Sequence, residues 1–285
     1  LVDLPPQIII DAIDWRYLED ALTKEEALSI LNEKIELHPD IEQAMLKKGP
    51  KAYSTAGWLG LTDEEISNTI SEMQSQGFDC FKMKVGQNLN HDKDRLAFIR
   101  SIIGDEGKLM VDCNQLWGVD EAIEYMNQLS EFNPIWIEEP TARDDVRGHI
   151  KITQALQGLN IKVASGEQVP SPVIFKQLLQ SGGIGYCQID ASRLGGVNDV
   201  LAVILMAKKF AVPVCPHGGG IGLCNMIVHY AIWDQVKVAS HSDNQVVEYI
   251  EFLQDNVFLN PIQVKNGHYV SPSAFGWGLE MQDDF

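Results

Sequence analysis

The 285-residue sequence lacks several features that would have assigned it quickly. No C-x-x-C pair occurs among its five cysteines, Cys80, Cys113, Cys187, Cys215 and Cys224. An odd, dispersed set of thiols argues against a disulfide framework or a zinc ribbon and for reduced thiols in an intracellular protein, in the cytosol or an organelle matrix such as the mitochondrial one. The longest uninterrupted apolar run, Val200 to Ala207, has eight residues, too few to cross a bilayer. The N-terminal LVDLPPQIIIDAIDW has neither a basic region nor a cleavage pattern, so it does not read as a signal peptide. It begins with Leu rather than Met, which predicts that the natural N-terminus lies upstream. There is no N-x-S/T sequon, no G-x-G-x-x-G and no Walker A motif. Basic residues are scarce: 22 Lys and Arg against 40 Asp and Glu leave a net charge of −18. Such a chain repels phosphodiester backbones and anionic lipid, so neither nucleic acid nor a membrane surface is an expected partner. A small anionic substrate would need a local cation.

Hydrophobic residues make up 45% of the chain, enough for a large core. From Lys51 onward, short apolar runs alternate with helical patterns. Strands are predicted at Ala52–Trp58, Phe78–Val85, Leu109–Asn114, Ile135–Glu139, Ile161–Glu167, Tyr186–Ala191, Val212–His217 and Val247–Ile250. Helices are predicted from the Thr62-Asp63-Glu64-Glu65 capping box to Gly77, and over Val119–Leu129, Asp145–Leu156, Pro172–Leu179, Val197–Phe210 and Leu223–Trp233. This rhythm fits an α/β fold of the (β/α)8 TIM-barrel type over residues 51–285. A doubly wound sheet, the competing reading, would carry a glycine fingerprint in its first turn. Residues 1–50 read as an excursion or remnant leading into the barrel: a strand at Ile8–Trp15, a helix over Lys24–Leu37 ended by His38-Pro39, and a solvated turn at Lys47-Lys48-Gly49-Pro50.

Functional side chains of such a barrel sit where strands run into their following loops. Those positions hold Lys82 and Lys84 on strand two, Asp112 on three, Glu138 on four, Glu167 on five, Asp190 on six, His217 on seven and Glu248 on eight. From Lys84 onward the spacings are 28, 26, 29, 23, 27 and 31 residues, about one β/α unit each. Any one of them alone reads as structural. Three carboxylates from adjacent strands, however, would repel in a partly dry pocket unless a divalent cation joined them. Oxygen ligands without His or Cys suit Mg²⁺ and argue against zinc. Lys82 and Lys84 share one face of their strand, and their mutual repulsion is expected to depress at least one ammonium toward a general base. Asp190 and His217 form a natural carboxylate–imidazole dyad.

These residues and their surrounding text, FKMKVG, VDCNQ, WIEEP, SGEQ, QIDASRLGG and CPHGGGIG, resemble the enolase superfamily and its mandelate-racemase-like subgroup. Within that subgroup, IDWRYLEDALT, FKQLLQ, VILMAKKF and VVEYIE look most like the L-fuconate dehydratases. The resemblance implies Mg²⁺ on Asp112, Glu138 and Glu167, and Lys84 abstracting the proton α to a carboxylate with Lys82 tuning it. His217, oriented by Asp190, would be the general acid. Glu248 would hydrogen-bond the developing enediolate, and Lys82 and Asn114 would contact the substrate. The implied activity is a hydro-lyase one, conversion of a sugar acid to its 2-keto-3-deoxy product. Racemization, another acid-sugar dehydration, and a non-catalytic barrel are the alternatives. The expected partner is a small acid sugar, with self-association left open. The family also carries an N-terminal capping domain; 50 residues are too few for it, so the cap is expected to be missing here and activity in isolation weak or absent. Departures from the dehydratase pattern at Leu116 and Val169-Pro170-Ser171-Pro172 bear on which sugar acid is used.

Overall fold

The computed structural model describes residues 1–37, 43, 46–239, 244–253, 257–273 and 276–283. Seven strands form one parallel sheet: β1 (Ala52–Gly57), β2 (Cys80–Lys84), β3 (Lys108–Asp112), β4 (Trp136–Glu138), β5 (Lys162–Ser165), β6 (Tyr186–Cys187) and β7 (Val247–Tyr249), in the order β6-β5-β4-β3-β2-β1-β7. The expected strand Val212–His217 fills the remaining gap as a hydrogen-bonded stave with a single parallel bridge, Cys187 to Val214. Cys215 and His217 donate to the carbonyls of Cys187 and Ile189 at 2.8 and 2.9 Å, and Glu248 donates to the Pro216 carbonyl at 3.2 Å. Pro213 and Pro216 have no N–H to offer, so the ladder there is thinner than elsewhere. The ring closes nonetheless, as a (β/α) barrel.

Helices α3 (Asp63–Ser75), α4 (Leu89–Ile103), α5 (Val119–Leu129), α6 (Val146–Leu156), α7 (Pro172–Gln180), α8 (Val197–Lys209) and α9 (Leu223–Trp233) connect the staves. Thr62 and Glu65 form the predicted capping box of α3, and the Asp145 carboxylate accepts from the Gly148 N–H to start α6. The α4 helix was not foreseen. Its polar run NLNHDKDRL masks the apolar stripe Leu96, Ile99, Ile103, and Asn88 caps it through the N–H groups of Asn90 and His91. Among the described residues, a 3-10 turn (Glu251–Leu253) and the hairpin β8 (Val264–Lys265)–β9 (His268–Tyr269) follow β7 in place of a last helix.

The N-terminal stretch departs from expectation. Ile8–Trp15 is not a strand: Pro6–Ala12 is a helix, α1, with Pro6 in its first turn. Ile9, Ile10 and Ile13 are buried whereas Ile8 is 53% exposed, a helical rather than alternating pattern. The following helix α2 (Lys24–Leu37) matches its predicted bounds, and its predicted stop at His38-Pro39 lies outside the described residues. Lys47 and Lys48 are exposed but helical, while Gly49 and Pro50 are buried, so that segment is not a solvated turn. Both N-terminal helices bury side chains in the same core as the barrel's outer layer. Lys176 of α7 donates to the Tyr17 carbonyl at 2.7 Å, and Lys209 of α8 pairs with Glu26 at 2.6 Å.

The period-two alternation of the staves makes two distinct interiors. Outward residues such as Phe81, Met83, Val111, Ile137 and Val163 pack under the helices. Inward residues at one end, Tyr53, Cys80, Met110, Trp136, Ala164, Tyr186, Cys215 and Val246, form an apolar plug with Trp136 ring-packed between Tyr53 and Tyr186. Two residues further along the same faces the inward side chains turn polar. That step from apolar to ionic positions the site.

Candidate active site

The polar layer begins with Lys82, two residues after Cys80, and Glu138, two after Trp136. Lys82 Nζ lies 2.6 Å from Glu138 Oε1, 2.9 Å from Glu248 Oε1 and 3.6 Å from Asp112 Oδ2, with all four side chains buried. The other Glu138 oxygen accepts from Gln188 Nε2 at 2.6 Å and Trp136 Nε1 at 3.3 Å. Burial opposes the Lys82 charge, but Glu138 and Glu248 outweigh it and hold the ammonium well above its ordinary value. For Lys82 the expected depression by its lysine neighbour is therefore overturned. Carboxylates surround it, and the second ammonium is engaged elsewhere.

That second ammonium, Lys84 Nζ, donates to Asp112 Oδ2 and to Asn114 Oδ1, the latter at 2.8 Å, and sits 5.2 Å from the centre of the Trp58 ring. Asn114 takes a left-handed backbone (φ 47°) just past β3, and its Nδ2 reaches Glu167 Oε1 at 3.4 Å. Strict alternation from inward Ala164 would turn Glu167 outward. Gly166, at φ 143°, breaks the alternation, and a Cβ there would come within 2.6 Å of the Gln188 carbonyl oxygen. Glu167 thus joins Asp112 and Glu138, each offering a carboxylate oxygen within 4.8 Å of the others.

Across the mouth, His217 Nδ1 meets Asp190 Oδ2 at 2.8 Å, and its Nε2 faces Glu167 Oε2 at 3.3 Å and Glu248 Oε2 at 3.8 Å. Asp190 is itself held by the Ser192 N–H and hydroxyl at 2.7 and 2.6 Å. Burial disfavours the imidazolium, yet the Asp190 hydrogen bond and the charges of Glu248 and Glu167 raise His217 to about 9. Burial would raise the Asp190 carboxyl, but its bonds to His217 and Ser192 bring it below its ordinary value. Glu248 is likewise depressed despite burial, by Lys82 and His217, and accepts from Thr55 Oγ1 at 2.5 Å and the Gly218 N–H at 2.9 Å.

The residues singled out from sequence therefore come together in one polar ring: Lys82, Lys84, Asp112, Glu138, Glu167, Asp190 and Glu248 are buried, with half-buried His217 and exposed Asn114 at its mouth. Burial and the neighbouring Asp112 push the Glu138 carboxyl well up, the mark of crowded like charges that a cation would relieve. Three converging carboxylates, with no sulfur or imidazole among them, fit a hard, oxygen-seeking divalent ion such as Mg²⁺.

Several participants escaped sequence reasoning. Thr55, Trp136 and Gln188 anchor Glu248 and Glu138, and their signal was parity with the ionisable residues on their own staves. Glu139, the second acid of WIEEP, is buried beside the site at φ 44° and takes a hydrogen bond from Gln115 Nε2 at 2.9 Å. Burial, then Glu167 and Asp112, raise its carboxyl to about 8.

The enolase C-terminal domain-like family model matches residues 65–285. The chain is 44% identical over 285 residues to mitochondrial enolase superfamily member 1 of Homo sapiens, covering 100% of this chain and 64% of that protein. The crystal structure of that human protein superposes with a TM-score of 0.96 at 43% identity, over 99% of this chain and 64% of that one. L-galactonate dehydratase of Hypocrea jecorina is 44% identical over 288 aligned residues, with coverage of 100% and 63%. A structure of an L-talarate/galactarate dehydratase variant liganded with Mg and L-glucarate aligns at TM-score 0.72 and 25% identity, over 97% of this chain and 65% of that one. The chain thus spans a little under two thirds of the length of the curated relatives it matches.

Proposed function

Because the chain belongs to the enolase superfamily, we propose that the protein is a Mg²⁺-dependent acid-sugar dehydratase, a hydro-lyase that converts an L-fuconate-type acid to a 2-keto-3-deoxy acid. The observation that carries this reading is the convergence of Asp112, Glu138 and Glu167 between Lys84 on one side and the His217–Asp190 pair on the other. Asp112, Glu138 and Glu167 would hold the metal, as the donor chemistry suits. Bound Mg²⁺ supplies the local positive charge that draws in a substrate carboxylate and stabilises the negative charge gathered when its α-carbon loses a proton.

Lys84 takes that proton from C2. It stands on the metal side of the pocket, aligned by Asn114 and shielded by Trp58. The Asp190 hydrogen bond and the Glu248 charge favour the protonated form of His217, which suits it to deliver a proton from Nε2 to the departing C3 hydroxyl. Asp190 fixes the ring so that Nε2, not Nδ1, faces the substrate. Lys82 neutralises the layer beneath. Glu248 remains in the substrate set, but its ionisation suits an acceptor of a substrate hydroxyl or a partner to His217 better than a donor to the developing oxyanion.

The sequence motifs favour L-fuconate, and the Hypocrea jecorina relative's named substrate supports it. L-fuconate is L-galactonate without its 6-hydroxyl, so C2 and C3 present the same configuration to the base and the acid. An intracellular compartment, cytosol or mitochondrial matrix, accords with the five free buried thiols and with the names of the animal relatives. Incubating the protein and Mg²⁺ with an acid-sugar library that includes L-fuconate and L-galactonate, with keto-acid and C2-deuterium readouts, tests the reading. Exchange without ketone would replace dehydration by racemization; neither signal on any acid sugar would reject it.

A further inference from the structure

Helix α4 carries two guanidinium forks, Arg95 buried and Arg100 half-buried, that end on backbone carbonyls at opposite ends of the barrel. Arg100 donates at the end away from the site, to the carbonyls of Gly104, Gly107 and Phe132 at 2.9, 2.7 and 2.7 Å. Arg95 does so at the catalytic end. Its Nη1 donates to the Lys84 carbonyl at 2.7 Å, and its Nη2 donates to the Gly57 and Trp58 carbonyls at 3.1 and 2.9 Å. The side chain is only 6% exposed.

The need for this fork lies in the sheet. The β1–β2 ladder loses register between Ser54 and Gly57, where β1 presses so close to Met83 that a Cβ on Gly57 would collide with its sulfur. Carbonyls at that irregular end need donors from elsewhere, because buried unpaired carbonyls are costly. Arg95 supplies them. One turn earlier, Asp92 accepts from the Gly86 N–H at 2.7 Å and pins the loop that leaves Lys84.

We propose that Arg95 is a positioning residue: by binding the carbonyls of Lys84, Gly57 and Trp58 in one planar fork, it fixes the Lys84 ammonium against the Trp58 ring and aims it at the substrate α-carbon. The proposal rests on the reading of Lys84 as the proton-abstracting base. A guanidinium spans three acceptors in fixed directions, which an ammonium on a flexible stem does not. Loosening the fork frees the β1 loop carrying Trp58 from the strand end carrying Lys84, and displacements of about 1 Å can lower a rate on the order of a hundredfold.

The test compares wild type, Arg95→Lys, Arg100→Lys and Trp58→Leu. Arg95→Lys is expected to lower kcat for C2 deuterium exchange by about 10–100-fold, with KM for the acid sugar and Mg²⁺ affinity within about twofold of wild type. Trp58→Leu, which leaves the fork intact, should reproduce the kcat loss even if Arg95→Lys does not fold. Arg100→Lys should lower the melting temperature without lowering kcat, because it satisfies the same kind of carbonyls far from the base. Crystal structures supply a readout independent of activity: in Arg95→Lys the Trp58 ring should leave its 5.2 Å contact with Lys84 Nζ. Unchanged kcat, an unmoved Trp58–Lys84 pair, or a joint collapse of kcat, KM and Mg²⁺ affinity would each overturn the proposal. If wild type exchanges no proton on any acid sugar, the dehydratase reading fails, and the two crystal structures alone decide whether Arg95 sets the contact.

Discussion

Lys82 Nζ stands 2.6 Å from Glu138 Oε1, an ion pair sealed between an apolar plug and the proposed metal site. Neither partner could be buried alone. Removing one member of a buried pair typically costs about 3–5 kcal/mol, because the other charge stays desolvated. Lys82→Met should therefore lower stability by roughly that amount in urea unfolding. A variant as stable as wild type would show that the three carboxylates tolerate one another without Lys82.

The two sides of the site divide the chemistry, so their substitutions should separate two measurements. Lys84→Ala is expected to abolish both C2 deuterium exchange and keto-acid formation. His217→Asn should keep exchange while dehydration falls by about 10²–10⁴-fold, the usual worth of a positioned acid. Proton NMR in deuterium oxide reads the first signal and a keto-acid assay the second. Retained dehydration in both variants would mean that the proton transfers have been assigned to the wrong side chains.

Carboxylate repulsion makes the ion a stabiliser as well as a reactant. Saturating Mg²⁺ at a hundred times its dissociation constant should add about 2.7 kcal/mol, seen as a rise in melting temperature reversed by EDTA. Glu167→Gln should remove most of that rise. Equal metal shifts in wild type and variant would place the ion elsewhere.

A stability effect with a defined pH window is expected at the far end of the barrel. Asp234, fully buried and bonded to Gln245 Nε2 at 2.5 Å, is raised by burial from 3.8 to about 7. The folded chain thus holds this proton more tightly than the unfolded one. The stabilisation is complete below pH 3.8 and is lost as pH rises toward 7, by at most roughly 4 kcal/mol for a three-unit shift. Asp234→Asn, neutral at every pH, should match wild type near pH 4 and exceed it at pH 8 in urea midpoint. Parallel pH profiles for the two proteins would contradict this.

The primary structure showed the barrel through its rhythm, because each β/α unit must bury one strand and one helical stripe. Val119–Leu129 and Leu223–Trp233 were legible to the residue. Helix α4 was not, since its first two turns are polar and its buried Asp92 and Arg95 serve hydrogen bonds that periodicity does not register. The N-terminal Ile8-Ile9-Ile10 run misled for the opposite reason: β-branched residues suggest a strand, but burial of Ile9, Ile10 and Ile13 against the barrel selected a helix.

By itself the sequence determined which side chains end the staves, since a period of two and a unit of roughly 27 residues fix which positions face inward at the mouth. Only the tertiary structure decided how those charges compensate one another. It turned Glu167 inward at Gly166, surrounded Lys82 with carboxylates rather than with Lys84, and brought Arg95 under both Lys84 and Trp58. The physical reason is range. Alternation is a property of neighbouring residues, whereas an ionisation state in a dry interior depends on every charge within several ångströms, and those charges come from strands far apart in the chain.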